Sequence, residues 1–201
     1  MNLHEFDQQW RNCHTQHIAG VDEVGRGPLA GPVCAAAVIL PADFSDSRIR
    51  DSKKLSALQR QTLSDLIRHS CLAWSVATVD CEVIDTINIL HATRLAMWQA
   101  LSQLPMTPEL LLVDGMDNSF FPAVRGEKVI KGDNLSLSIA AASIVAKVHR
   151  DELMEALDQR YPQYGFARHK GYGTAQHRQA IREHGLCPQH RRSFCTRLQG
   201  V

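Results

Sequence analysis

Two adjacent acids, Asp22 and Glu23, stand where a short apolar segment, Ile18-Ala19-Gly20-Val21, runs out, and Gly25-Arg26-Gly27 follows at once. Carboxylates at the end of a buried strand are costly to desolvate unless something positive meets them. Glycines beside them let the backbone approach a ligand closely, and Arg26 carries a fork of donors suited to phosphate. A metal ion and a phosphate are therefore the first chemistry to expect. Asp114 repeats the pattern, since the apolar run Glu109-Leu110-Leu111-Leu112-Val113 ends in this acid and Gly115 follows. Asp133, in Lys131-Gly132-Asp133, is a third such acid, placed before a long helix, where a carboxylate can equally be a plain cap. If the four carboxylates converge, each close pair repels by about 4 kcal/mol at about 4 Å in an effective dielectric of about 20. Such a cluster persists only if protonated or bridged by cations. Oxygen-only ligands select Mg²⁺ or Mn²⁺ over zinc, and two such ions about 4 Å apart clamp both the attacking and the leaving oxygen of a phosphodiester.

Gly25-Arg26-Gly27-Pro28-Leu29-Ala30-Gly31 also looks like a dinucleotide-binding glycine loop. The spacing is wrong by one residue, and Pro28 removes an N–H from the phosphate cradle. No Gly-Lys-Ser/Thr follows, which excludes a P-loop. Gly31-Pro32 instead turns the chain into a second strand, Val33 to Leu40.

The elements that must position these acids follow from periodicity. After the second strand, the polar loop Asp51-Ser52-Lys53-Lys54-Leu55-Ser56 leads into a helix capped by Ser56, with Leu58, Leu63, Leu66 and Ile67 on one stripe. Ala73–Val79 alternates as a third strand. Helical segments follow, with Leu90, Leu95, Trp98, Leu101 and Leu104 forming the stripe of a helix that ends near Pro105. The dense apolar run 109–115 is a buried fourth strand, and Lys128–Lys131 a short fifth. The longest helix runs from Leu135 to about Arg160. Its small residues, Ala140 to Ala142, Ser143 and Ala146, permit close approach to a sheet or a second helix. Shorter helices are predicted near 174–184 and 188–198. Residues 1–158 are read as an α/β core and 159–201 as a basic helical appendage that contacts substrate.

At 201 residues, 44% hydrophobic and 21% charged, the chain has the size and balance of one globular domain. No apolar run reaches the roughly 20 residues that span a bilayer, and the first residues lack the layout of a secretory signal. Six cysteines without a CxxC pair read as reduced, which places the protein in the cytoplasm. The net charge of +1 says little, but its distribution says more. Between Arg168 and Arg197 stand Arg168, Lys170, Arg178, Arg182, Arg191, Arg192 and Arg197 against the single acid Glu183, a stripe that suits a polyanion or else a solvated helical surface. His184, Cys187, His190 and Cys195 offer ligands for structural zinc, at an unfamiliar spacing.

The order of six blocks resembles the ribonuclease HII family of bacterial type 2 ribonucleases H. They are Gly20-Val-Asp22-Glu23-Val-Gly-Arg-Gly27, Asp51-Ser-Lys-Lys-Leu-Ser56, Val113-Asp114-Gly115, Lys131-Gly-Asp133, Ala141-Ala-Ser143-Ile-Val-Ala-Lys147, and Tyr164-Gly-Phe with His169-Lys-Gly-Tyr-Gly-Thr174. The resemblance covers nearly the whole chain. It implies a ribonuclease H-like fold, a mixed five-stranded sheet flanked by helices, and places Asp22, Glu23, Asp114 and Asp133 in a catalytic Mn²⁺ or Mg²⁺ site, with two metals. It gives Gly25-Arg26-Gly27 the reading of the ribonucleotide 2′-hydroxyl and sets Tyr172 against the following sugar. The implied substrates are RNA/DNA hybrids and duplex DNA with single embedded ribonucleotides, nicked on the 5′ side to leave a 5′-phosphate and a 3′-hydroxyl. One departure is Val24, where the family usually carries alanine; it adds bulk but removes no ligand.

The residue types suit these roles. The 2′-hydroxyl is what separates RNA from DNA at a given site, and a tyrosine ring packs on a sugar whatever the base. Lys53, Lys54, Lys147 and Lys170 are candidates to meet phosphate or to be ordinary solvated lysines. Ser143 either bonds a phosphate or packs between helices. In a regular strand Asp22 and Glu23 point to opposite faces, so a distortion is expected at Glu23-Val24-Gly25. A non-catalytic binder of hybrids and a DNA nuclease of the same fold are the alternatives, and nothing suggests more than a monomer.

Overall fold

The computed structural model describes residues 2–49, 52 and 55–198. Lys53, Lys54 and Asp51 of the polar loop lie outside this set. Five strands, β1 (Ile18–Val24), β2 (Val33–Ile39), β3 (Ala73–Val79), β4 (Leu110–Asp114) and β5 (Gly126–Val129), form one sheet in the order β3-β2-β1-β4-β5. β1 pairs antiparallel with β2 and parallel with β4, so the sheet is mixed. Among the described residues six α-helices accompany it: α1 (Leu3–Gln8), α2 (Ala57–Ser70), α3 (Cys81–Ser102), α4 (Leu137–Arg160), α5 (Phe166–His169) and α6 (Ala175–His184). None of the described helices is long and apolar enough to cross a membrane. All six cysteines are free.

Strand alternation divides the core. Ala19, Val21, Ala35, Ala37, Leu111 and Val113 face α3, while Ala36 and Val38 face α4 and α2. The close approach predicted for α4 is made against β1, and Gly20 permits it: a Cβ there would stand 2.0 Å from the Ser138 backbone. Asp7 of α1 holds the same end of α4, accepting from the Ser138 N–H at 2.8 Å and its hydroxyl at 2.7 Å. Ser56 caps α2 reciprocally with Gln59.

Several helical expectations are corrected. Leu58 is 78% exposed, so the buried side of α2 is Leu63 and Ile67. In α3 the predicted stripe is wrong at Leu90 and Trp98, which are 40% and 46% exposed. Leu101 is buried as predicted, with Leu95 and Leu104 packed beside it, but the rest of the contact with the sheet is made by Ala92, Ala96, Met97 and Ala100, because small residues let the axis come close. α3 is also two helices joined at Asn88, whose φ of 64° breaks the first and whose Oδ1 caps the second through the N–H groups of Leu90 and His91. The helix predicted near 188–198 is absent; the described chain there makes two 3₁₀ turns, Arg192–Phe194 and Thr196–Leu198.

Candidate active site

β1 and β4 run parallel, and their pairing stops at Val21–Val113. Beyond that point β1 and β4 part from each other, and Asp22, Glu23 and Asp114 stand at their ends, still paired with β2 and β5. Asp22 is opposite Ala36 and so shares the α4 face, and Asp114, two residues after Leu112, lies on that face as well. Glu23 is opposite Ala35 and starts from the other face. All three nevertheless line one cleft of about 150 Å³, together with Val24, Ser52, Ser143, Lys147 and Tyr172. Glu23 reaches it because β4 no longer covers that edge of β1. The expected distortion falls at the last residue of the predicted segment: β1 stays paired through Val24–Cys34 and breaks at Gly25, whose φ is +92°.

Electrostatics single out Asp22. Burial, followed by repulsion from Glu23 and Asp114, pushes its pKa well above the ordinary carboxylate value, while the Ser143 hydroxyl and the Glu23 N–H (2.7 Å) oppose the shift. No cation pairs with it among the described residues. Glu23 is raised too, chiefly by burial; Arg26, at 3.4 Å, works against this. Asp114 accepts from the Gly132 N–H at 2.6 Å. Ser143 is buried and shares a 3.0 Å hydrogen bond with Ser52, so it supports Asp22 from behind. Lys147 reaches the cleft while paired with Asp151 at 2.5 Å.

Two predicted members stand elsewhere. Asp133 is one residue from Gly132 but lines the adjacent cavity with His4, Asp46, Asn134 and Leu137. The reason is local: β5 ends at Val129, Lys131 turns into the left-handed region, and Asp133 sits in the 3₁₀ turn Gly132–Asn134 that precedes α4. Lys170 pairs with Glu155 at 2.7 Å and borders a separate groove with Arg60 and Asp151. No group of three or more His, Cys, Asp and Glu side chains is arranged to enclose a metal among the described residues. The zinc reading fails on geometry of its own: both ring nitrogens of His190 are engaged, by the Cys187 N–H and by His177, and the Cys195 thiol faces the Leu29 carbonyl.

The wall behind Tyr172 is a histidine network. His177 Nδ1 lies 2.9 Å from the Tyr172 carbonyl, which only accepts, so Nδ1 carries the proton. His190 Nδ1 receives the Cys187 N–H at 3.0 Å, so its Nε2–H donates to His177 Nε2 at 3.1 Å. Both rings are therefore neutral, and burial draws both pKa values down to about 4.

Sequence reasoning placed Arg191 in a polyanion-binding stripe. It is instead fully buried, as is Arg150. Arg191 donates to the carbonyls of Gly25, Arg26 and Gly31, and Arg150 to those of Pro32, Ala30 and Lys170. Arg168, Arg178, Arg182 and Arg192 do remain exposed.

A mixed five-stranded sheet with helices on both faces and carboxylates where its central strands end is the ribonuclease H-like architecture. The Ribonuclease HII family profile matches residues 19–197, and the chain belongs to that family. Ribonuclease HII of Pelodictyon phaeoclathratiforme is 54% identical over 200 residues, 96% of this chain and 97% of that protein. Ribonuclease H2 of Pyrococcus horikoshii superposes with a TM-score of 0.77 at 26% identity, covering 91% of this chain and 97% of that one. Ribonuclease HII of Archaeoglobus fulgidus, solved in complex with PCNA, gives 0.77 at 26% identity over 92% and 97% of the two chains. The activity is that of a ribonuclease H, endonucleolytic hydrolysis of RNA in RNA/DNA hybrids.

Proposed function

We propose that the cleft also nicks duplex DNA on the 5′ side of a single embedded ribonucleotide, leaving a 5′-phosphate and a 3′-hydroxyl. The observation that carries this reading is the meeting of Asp22, Glu23 and Asp114 at one sheet edge, beside Tyr172 and the Gly25–Gly27 loop. Crowded, desolvated carboxylates, of which Glu23 is paired with a described cation, Arg26, call for a divalent cation, and an oxygen-only set selects Mn²⁺ or Mg²⁺. Asp22, Glu23 and Asp114 would hold it, and Asp133, which lines a separate cavity in this structure, would serve a second ion. When bound, such ions acidify water and offset the charge that builds up on phosphorus.

The protein's own groups supply the rest. Ser143 and the Glu23 N–H keep the Asp22 carboxylate aimed into the cleft. Lys147, held by Asp151, presents positive charge for the phosphate. Tyr172, 45% exposed, offers its ring to the sugar after the cut, and the Gly25-Arg26-Gly27 backbone reads the 2′-hydroxyl. Lys53 and Lys54 precede α2 and would meet the flanking backbone. Residues 159–201 form an appendage that bears on substrate, and the enzyme acts as a monomer in the cytoplasm. Asp22→Asn and Asp114→Asn test the assignment. Each should lose turnover of a hybrid while binding it with nearly native affinity, and retained turnover in either variant contradicts the reading.

A further inference from the structure

The backbone of Gly25-Arg26-Gly27 is held from behind by one side chain that comes from the far end of the chain. Arg191 lies in a segment tied to this loop by main-chain bonds, Gly31 N–H to Gln189 and Arg191 N–H to Leu29, both at 2.8 Å. Its guanidinium donates through one terminal nitrogen to the Gly25 carbonyl at 2.6 Å and through the other to the Arg26 carbonyl at 2.9 Å. Nε and the first terminal nitrogen also reach the Gly31 carbonyl, at 3.0 and 2.8 Å. The Phe194 ring covers the cation at 5.3 Å. No carboxylate pairs with it among the described residues.

In a trans peptide the C=O and N–H point in opposite directions, and no cis peptide occurs in the described chain. The Gly25 carbonyl belongs to the same peptide unit as the Arg26 N–H, and the Arg26 carbonyl to that of the Gly27 N–H. Drawing both carbonyls inward therefore turns both N–H groups outward. Neither N–H donates to a protein acceptor among the described residues. Arg26 and Gly27 are exposed, and a Cβ on Gly27 would stand 3.8 Å from the Tyr172 ring, which lines the cleft. Two successive outward amides form a concave donor site for an oxygen lone pair.

We propose that Arg191 is a positioning residue for sugar recognition: it presents the Arg26 and Gly27 amides to the ribose hydroxyl that deoxyribose lacks. Only a planar fork with separated donors can hold these carbonyls at once, and a lysine cannot substitute for it. The proposal rests on the reading above that this loop senses the 2′-hydroxyl.

The test compares kcat/KM on two duplexes that differ at one position, a ribonucleotide or its 2′-fluoro analogue, which accepts hydrogen bonds poorly. The native protein should favour the ribonucleotide by at least about a hundredfold, since sites built to bond a hydroxyl reject analogues without it. A native ratio near one overturns the sugar reading itself. In Arg191→Lys the ratio should fall at least about tenfold, the loss of a hydrogen bond to a preorganised donor. Phe194→Leu, which uncovers the guanidinium but keeps it, should lower the ratio by a smaller factor and guards against a lysine variant that fails to fold. A role confined to stability slows both substrates equally. A native protein that discriminates beside variants with an unchanged ratio therefore overturns the proposal and leaves the sugar reading standing.

Discussion

Asp22 is buried against two like charges, and this has a consequence for stability opposite to its consequence for activity. Its pKa in the folded protein is raised above the unfolded value. The ionised carboxylate thus destabilises the metal-free fold near neutral pH, and that penalty is relieved as the pH falls through the folded value. Asp22→Asn should raise stability in EDTA by about 1–2 kcal/mol, or roughly 2–4 °C in Tm per kcal/mol. The same substitution should cost on the order of 10²–10³ in turnover. Calorimetry with and without Mn²⁺ checks the pair: the cation should stabilise the native protein and leave the variant nearly unmoved. Asp22, Glu23 and Asp114 were legible in the sequence because an acid that ends an apolar strand is a local pattern. Arg191 was not, because its partners lie some 160 residues away and an arginine that binds carbonyls looks, in sequence, like one that faces water.

Among the elements, α4 decides where the cleft can be, since it brings Ser143 and Lys147 to the end of β1. Its approach depends on the missing side chain at Gly20. Gly20→Ala should cost about 3 kcal/mol or more, as backbone has to move to admit the methyl group, and denaturant unfolding measures it. The turn after α5 depends on His177 and His190, whose neutral tautomers close the chain Cys187, His190, His177, Tyr172. Their folded pKa values, about 4, lie below the usual 6.5. An unfolded chain therefore takes up the protons first. Stability from this pair should be complete above about pH 6.5 and fall as the pH drops toward 4. The urea midpoint should accordingly drop between pH 7.5 and pH 5, and by less in a variant with both histidines replaced by glutamine. The β-strands were legible because alternation and dense apolar runs report burial directly. The buried face of α3 was legible only at Leu95, Leu101 and Leu104, because alanines make most of the contact with the sheet while Leu90 and Trp98 point outward.

At the scale of the whole molecule, the chain after α4 is knitted into the core and not merely attached to it. Arg150 reaches the Lys170 carbonyl, Arg191 reaches the loop after β1, and Ala30 bridges His190. The protein should unfold in a single transition, with tryptophan fluorescence and far-ultraviolet dichroism superimposed, and a separate early transition of the tail would contradict this. The proposed division at residue 158 is therefore one of function, with acids in the sheet and Tyr172 in the tail. The central claim is that three strand-end acids and a sugar-reading loop act on one phosphodiester. The most direct measurement uses a labelled DNA duplex with one ribonucleotide, incubated with Mg²⁺, Mn²⁺ or EDTA beside an all-DNA control. We expect a single nick immediately 5′ of the ribonucleotide, with either cation and never in EDTA, and no cut in the control. Cleavage in EDTA, a cut in the control, or cutting of long hybrids alone would contradict it.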